Sequence, residues 1–223
     1  MKLITYNIQA GLGIDGVRSA DRIGRLAADL GADIVGLQEV EMGSPRSLFV
    51  NQARRLAESS GMGCAFAHGF QRGPWRFGNC ILSRFPIRSS ERLGLPSTGE
   101  SRSALSALID TDTGPLHVIC THLGLDREER VGQVQALRRS LDEIIGPIVL
   151  MGDFNDFPDS PPILALLDGS GLVDITGPGP TFPAPSPTSR IDYIFVRGLA
   201  ADGPSEVIST PFSDHLPVLA RAL

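Results

Sequence analysis

Short apolar runs, each ended by a polar residue or a glycine, recur along the whole chain, and helical spacing appears only between some of them. Lys2–Asn7 reads as a first strand, followed by a glycine-rich loop from Gln9 to Gly16. Ser19 or Asp21 caps a helix with Ile23, Leu26, Ala27 and Leu30 at helical spacing, stopped by Gly31. Asp33–Val40 is a second buried strand carrying Gln38 and Glu39 at its C-terminal end. Ser44-Pro45 fits the N-cap and first position of a helix reaching Gly61. Two short strands, Cys64–Ala67 and Asn79–Ser83, flank an arginine- and aromatic-containing loop over residues 69–77. Ile87–Leu95, Arg102–Asp110 and Leu116–Thr121 read as strands, the last two joined by a turn over residues 111–114.

Asp126 then caps an amphipathic helix with Val131, Val134, Leu137, Leu141, Ile144 and Ile145 on its apolar face. After the strand at Ile148, Ser160-Pro161-Pro162 opens a short helix to Leu167. Residues 176–189, rich in Pro, Gly, Thr and Ser, form a long loop of the kind that borders sites. Arg190–Val196 and Val218–Ala220 are strands, with Val207-Ile208 in a further one. Many strands and about four helices in 223 residues imply packed sheets with helices outside, in a single domain, 1–223.

The candidate chemistry sits where strands stop. Ile148–Met151 breaks at Gly152 into Asp153 and Asn155, which strand alternation would place on one side, able to hold and deprotonate a water. An Asx turn is the competing reading of the same residues. Asn7, Glu39, His122, Asp192 and the pair Asp214-His215 also punctuate apolar strands. Each alone has an ordinary explanation as a turn former or satisfied polar group, except that a carboxylate within the run around Asp192 needs a partner. Taken together, Glu39, Asn7 and Asp214 offer hard oxygen ligands for Mg²⁺, or Mn²⁺ as a substitute. His215 can donate to a phosphoryl oxygen if Asp192 fixes its tautomer.

Composition narrows the partners. Apolar residues make up 42% and charged residues 20%, ordinary for a globular chain. A net charge of −5 argues against holding long nucleic acid by bulk electrostatics, though it leaves a local basic patch open. Lys2 is the only lysine, so every other cation is an arginine, suited to bidentate phosphate contacts. Cys64, Cys80 and Cys120 lie in apolar runs without metal spacing and read as buried reduced thiols. No apolar run spans a membrane, and the strand-like start lacks a signal-peptide core, so cytoplasmic residence is the default expectation. Oligomeric state is not legible.

The segments Thr5-Tyr6-Asn7-Ile8, Leu37-Gln38-Glu39-Val40, Thr121-His122-Leu123, Gly152-Asp153-Phe154-Asn155, Arg190–Phe195 and Ser213–Pro217 resemble, in this order, the motifs of the endonuclease/exonuclease/phosphatase superfamily. The resemblance runs from first strand to last. It implies a four-layer α/β/β/α sandwich of two mixed sheets and Mg²⁺-dependent hydrolysis of a phosphate ester. It further implies Glu39 as principal metal ligand with Asn7 beside it and Asp214 near the metal. Asp153, held by Asn155, would align or deprotonate the water; His215, oriented by Asp192, would contact the phosphate; His122 would sit on the phosphate or leaving-group side. Arg102 and Asn79 fall where family members often contact phosphate. Gln9 stands where apurinic-site endonucleases carry a metal-site Asp, which weakens that reading and leaves the number of metals open.

A small or lipid-derived phosphate ester is therefore the leading substrate class. A nuclease gripping the backbone through Arg18, Arg72, Arg76 and Arg102 is the alternative. An inactive family member used as a binding module is the remote one.

Overall fold

Two parallel strand pairs set the frame. The computed structural model, which describes residues 1–223, places β1 (Lys2–Asn7) parallel to β2 (Ile34–Met42), with α1 (Ala20–Asp29) as the crossover. A short 3₁₀ turn at Pro45–Ser47 precedes α2 (Gln52–Ser60), β3 (Gly63–Arg72) and β4 (Trp75–Ser83). Then come β5 (Ile87–Leu95), β6 (Arg102–Thr111) and β7 (Gly114–His122), with α3 (Arg127–Glu143) crossing to β8 (Ile148–Asp153), parallel to β7. The chain finishes with α4 (Pro161–Leu167), β9 (Val173–Asp174), β10 (Asp192–Arg197), β11 (Glu206–Val207) and β12 (Val218–Arg221).

Pairing yields two six-stranded mixed sheets, ordered β11-β12-β1-β2-β4-β3 and β5-β6-β7-β8-β10-β9. Their inner faces meet through Leu3, Ile34, Ile81, Val118, Val149 and Met151. α1 and α2 cover the first sheet through Ile23, Ala27, Ala53 and Leu56, against Ile4, Val35 and Leu37. α3 and α4 cover the second through Val134, Leu137, Leu141, Ile163 and Leu166. This is the expected sandwich of two mixed sheets between helices. Strands buried on both faces read as continuous apolar runs, which is why β1, β2 and β8 stand out in sequence.

Several local expectations change. Residues 69–77 are not a loop: β3 and β4 run on as one hairpin with Arg72 paired to Trp75. Ser44-Pro45 opens only the 3₁₀ turn, because Leu48 and Phe49 take positive φ; α2 starts later, where Asn51 accepts from the Arg54 amide at 3.0 Å. Cys64 is exposed at the start of β3, while Cys80 and Cys120 are buried. Val131 is only partly covered and Ile145 is 95% exposed, because α3 ends at Glu143 before the apolar stripe does. The Asp126 cap holds, its Oδ1 accepting from the amides of Glu128 and Glu129 at 2.8 and 3.0 Å.

Candidate active site

The C-terminal ends of the parallel pairs open on the same side. Asn7 ends β1; His122 and Asp153 end β7 and β8 and lie directly opposite each other. β10 runs antiparallel to β8, so its first residue, Asp192, lies opposite Asp153. Crevices at such strand ends are where α/β sheets gather ligand-binding groups. Gly152 lets the strands close this tightly, since a Cβ there would stand 2.0 Å from the Thr121 carbonyl oxygen.

Glu39 arrives by another device. β2 does not end there but continues to Met42; a bulge between Leu37 and Val40 interrupts its pairing with β4, and Glu39 takes φ 59°. A bulge turns one side chain out of the alternation, here towards Asn7, whose Nδ2 donates to Glu39 Oε1 at 3.2 Å. Positive φ in a non-glycine residue is backbone strain of the kind concentrated at functional sites. Burial, followed by the charge of Asp214, raises the Glu39 carboxyl above its ordinary pKa against the opposing Asn7 hydrogen bond. No arginine, lysine or histidine pairs with it within 4.0 Å.

Asp153 is the point of convergence. Its Oδ2 accepts from Asn7 Nδ2 at 2.9 Å and faces His122 Nε2 at 3.5 Å and His215 Nε2 at 3.7 Å. Its Oδ1 accepts from the Asn155 amide at 2.9 Å, the Asx turn that competed for these residues. Asn155, at φ 50°, leaves strand alternation, and its carboxamide donates to the Leu123 carbonyl at 3.0 Å. Asn155 thus holds Asp153 through its backbone. Burial, reinforced by the Asp192 charge, pushes the Asp153 pKa up to about 7.

The two histidines are set to opposite states. Arg102 Nη1 lies 3.1 Å from His122 Nδ1, and because a guanidinium only donates, Nδ1 accepts and the proton sits on Nε2, facing Asp153. Burial and the charges of Arg102 and His215 hold His122 well below its ordinary pKa, so it is neutral. His215 Nδ1 lies 2.9 Å from Asp192 Oδ2, which also accepts from Thr181 Oγ1 at 2.5 Å. Burial works against the charged form of His215. The Asp192 charge and hydrogen bond, with Asp153 and Asp214, outweigh it and raise the pKa to about 10.

The remaining expected residues gather nearby. Asp214 is half-buried and accepts from Ser213 Oγ at 3.2 Å. Asn79 donates to the Ser103 carbonyl at 2.7 Å and leaves its Oδ1 without a partner; with Arg102, His122 and Glu39 it lines one depression. Arg72 and Arg76 stand exposed on the β3–β4 hairpin. Three further residues build the site without any sequence motif to announce them. Thr181 grips Asp192, Phe182 packs its ring 4.7 Å from His215, and Gln52 ties the Ala10 carbonyl to the Glu41 amide. The Pro-, Gly- and Ser-rich composition of residues 176–189 is the only sequence signal for the first two.

Asp153, Asp192 and His215 form a buried group whose ligand atoms lie within 4.8 Å of one another, close enough to hold a metal ion. No helix is long and apolar enough to cross a membrane.

Residues 4–215 match the family described as Endonuclease/Exonuclease/phosphatase. The chain is 32% identical over 156 residues, 65% of its length, to the Escherichia coli protein YbhP, and spans 62% of that relative. An endonuclease/exonuclease/phosphatase structure from Beutenbergia cavernae superposes with a TM-score of 0.81 at 26% identity, covering 100% of this chain and 71% of the other. A mannosyl-6-phosphatase of Bacteroides thetaiotaomicron superposes with a TM-score of 0.83 at 20% identity, covering 100% and 99%.

Proposed function

The chain belongs to the endonuclease/exonuclease/phosphatase family, and we propose that it is a divalent-metal-dependent phosphoesterase acting on a small or lipid-derived phosphate ester by attack of water. The observation that carries this reading is the meeting of Asn7, His122 and His215 on one oxygen of Asp153.

A hard divalent cation fits at Glu39, without Asn7 as the expected oxygen ligand, since Asn7 Oδ1 accepts from the Gln9 amide at 3.1 Å and its Nδ2 faces Glu39. Glu39 is a largely desolvated carboxylate with no cationic partner and a second carboxylate, Asp214, within electrostatic reach. The Asp153–Asp192–His215 group fits one less well: Asp192 Oδ1 has no partner, but Oδ2 already accepts two hydrogen bonds and His215 carries a proton that a ligating imidazole cannot keep. Mg²⁺ or Mn²⁺ at Glu39 would neutralise charge on the phosphoryl group and the leaving oxygen. Asn7 bridges the two halves of the site, its Nδ2 donating to both Glu39 and Asp153.

Asp153 takes a proton from the attacking water, its pKa near 7 matching that task. At 3.5 and 3.7 Å the two histidine nitrogens stand beyond good hydrogen-bond reach of Asp153 Oδ2, so their Nε2–H groups are free for other oxygens in the space beside the carboxylate. Cationic His215 and neutral His122 each turn an Nε2–H towards that space and stabilise charge on the phosphoryl oxygens. Arg102 and Asn79 extend the set along the depression.

Arg72 and Arg76, exposed and in no ion pair, favour a nuclease as the second reading, against the net charge. A panel of phosphomonoesters, phosphodiesters and plasmid DNA with Mg²⁺ decides between them. Turnover of small esters abolished by EDTA is expected. Plasmid nicking without ester turnover would establish the nuclease, and silence across the panel would leave a binding module.

A further inference from the structure

Beside Glu39 lies a cavity of about 250 Å³ lined by Gln9, Ala10, Leu12, Arg18, Glu39 and Arg46. The reaction as described uses only its Glu39 wall. Two of the lining residues are arginines. Arg18 makes no ion pair and donates through one nitrogen, Nη2, to the Arg46 carbonyl oxygen at 2.6 Å. Arg46 pairs through Nε with Glu41, a carboxylate buried beneath it, at 2.6 Å. Both arginines are exposed, and each guanidinium, anchored by one hydrogen bond, retains unused N–H donors.

The walls are built rather than incidental. Gln9 and Ala10 both take positive φ, and the turn they form is pinned from below by buried Gln52. Gln52 donates to Ala10 O at 2.5 Å and accepts from the Glu41 amide at 2.8 Å. Arg18 is placed by an antiparallel bridge with Leu12, so one short ribbon supplies two walls.

We infer that this cavity is a leaving-group subsite for a second anionic group, a phosphate or a carboxylate, carried by the substrate beyond the ester being cut. The inference rests on the phosphoesterase reading and adds a substrate class to it. Paired guanidinium groups are matched to tetrahedral or planar oxyanions through bidentate hydrogen bonds. The volume, near the lower end of ligand pockets, suits a compact anion with a few attached atoms and not a nucleic-acid duplex. Glu39 and the buried Glu41 balance the two arginine charges, so the unused guanidinium N–H donors, and not a net positive field, carry the recognition.

The test is calorimetric binding to the turnover-blocked Asp153→Asn protein in Mg²⁺, with and without Arg18→Gln, so that affinity is read without hydrolysis. Glucose bisphosphate is compared with glucose monophosphate, and phosphoglycerate with glycerol phosphate. The parent should bind at least one of the probes with two anionic groups at least tenfold more tightly than its partner, and Arg18→Gln should reduce that ratio to within twofold of unity while leaving the probes with one anionic group unchanged. A bisphosphate-only preference identifies a phosphate subsite, and a phosphoglycerate-only preference a carboxylate one. A ratio near unity in the parent, or one that survives Arg18→Gln, overturns the inference. Failure of the unmutated protein to hydrolyse any ester while the binding ratios hold would sink the phosphoesterase reading alone.

Discussion

Asp153 lies at the end of β8 with four groups around it, and its proton tests the site most simply. In the fold its pKa is about 7, against an ordinary 3.8, because burial and Asp192 disfavour the charge. A carboxyl raised in this way contributes stability that is complete below the ordinary value and is lost as pH climbs to the folded one. Asp153→Asn never ionises and escapes the loss. In EDTA the variant should match the parent near pH 4 and gain roughly 1–3 kcal/mol above pH 7, read from thermal melts. With Mg²⁺ it should lose activity by about a thousandfold or more. Equal stability at both pH values would show that the carboxyl is not strained by its surroundings.

Asp192 makes the complementary case. Its charge and hydrogen bond hold the His215 proton against burial, so Asp192→Asn should bring the His215 pKa down by more than a unit, followed by NMR titration, with kcat falling about a hundredfold. A His215 that still titrates near 10 in that variant would remove Asp192 from its assigned role. These carboxylates and histidines were legible in the sequence, because polar residues interrupting apolar strands demand an explanation. Thr181 and Gln52 were not. A threonine in a loop and a glutamine opening a helix are ordinary by type, and only their partners across the fold, Asp192 in one case and Ala10 and Glu41 in the other, give them a role.

At the scale of elements, the parallel pairs β1–β2 and β7–β8 carry most of the chemistry to one rim. Their apolar runs and intervening helices announced them in the sequence. The bulge that presents Glu39 did not announce itself: nothing in Leu37-Gln38-Glu39-Val40 marks an αL residue, so the strand was expected to stop where it instead kinks and continues. The β3–β4 hairpin was hidden for a related reason. Glycine, proline and arginine between aromatics read as loop, while the Gly73-Pro74 turn, pairs such as Phe70 with Phe77 and the diagonal contact of the Phe70 and Trp75 rings, 5.1 Å apart, draw them into strands. Close approach of β8 to β7 makes Gly152 the most demanding position in either strand. Gly152→Ala should cost about 3 kcal/mol or more, a fall in Tm of roughly 6–12 °C by thermal denaturation. An alanine variant as stable as the parent would mean the two strands can separate at no cost.

For the molecule as a whole, the two sheets bring residues from opposite ends of the chain together: Ser213 Oγ donates to the Asn7 carbonyl oxygen at 2.7 Å, and β12 pairs with β1. The layered architecture was readable from the alternation of strands and helices, since each apolar face must be covered by another. The distribution of charge at the rim was not, because a net charge of −5 says nothing of Arg18 and Arg46 lining one cavity with Glu39. The account depends on a cation and a phosphorus centre meeting between Glu39, Asp153 and His215. Anomalous diffraction from crystals soaked in Mn²⁺ and inorganic phosphate measures this directly. The prediction is one manganese peak about 2.0–2.3 Å from a Glu39 carboxylate oxygen, with phosphate oxygens hydrogen-bonded to Nε2 of His122 and His215. A peak seated instead among Asp153, Asp192 and His215, or phosphate bound away from both histidines, would contradict it.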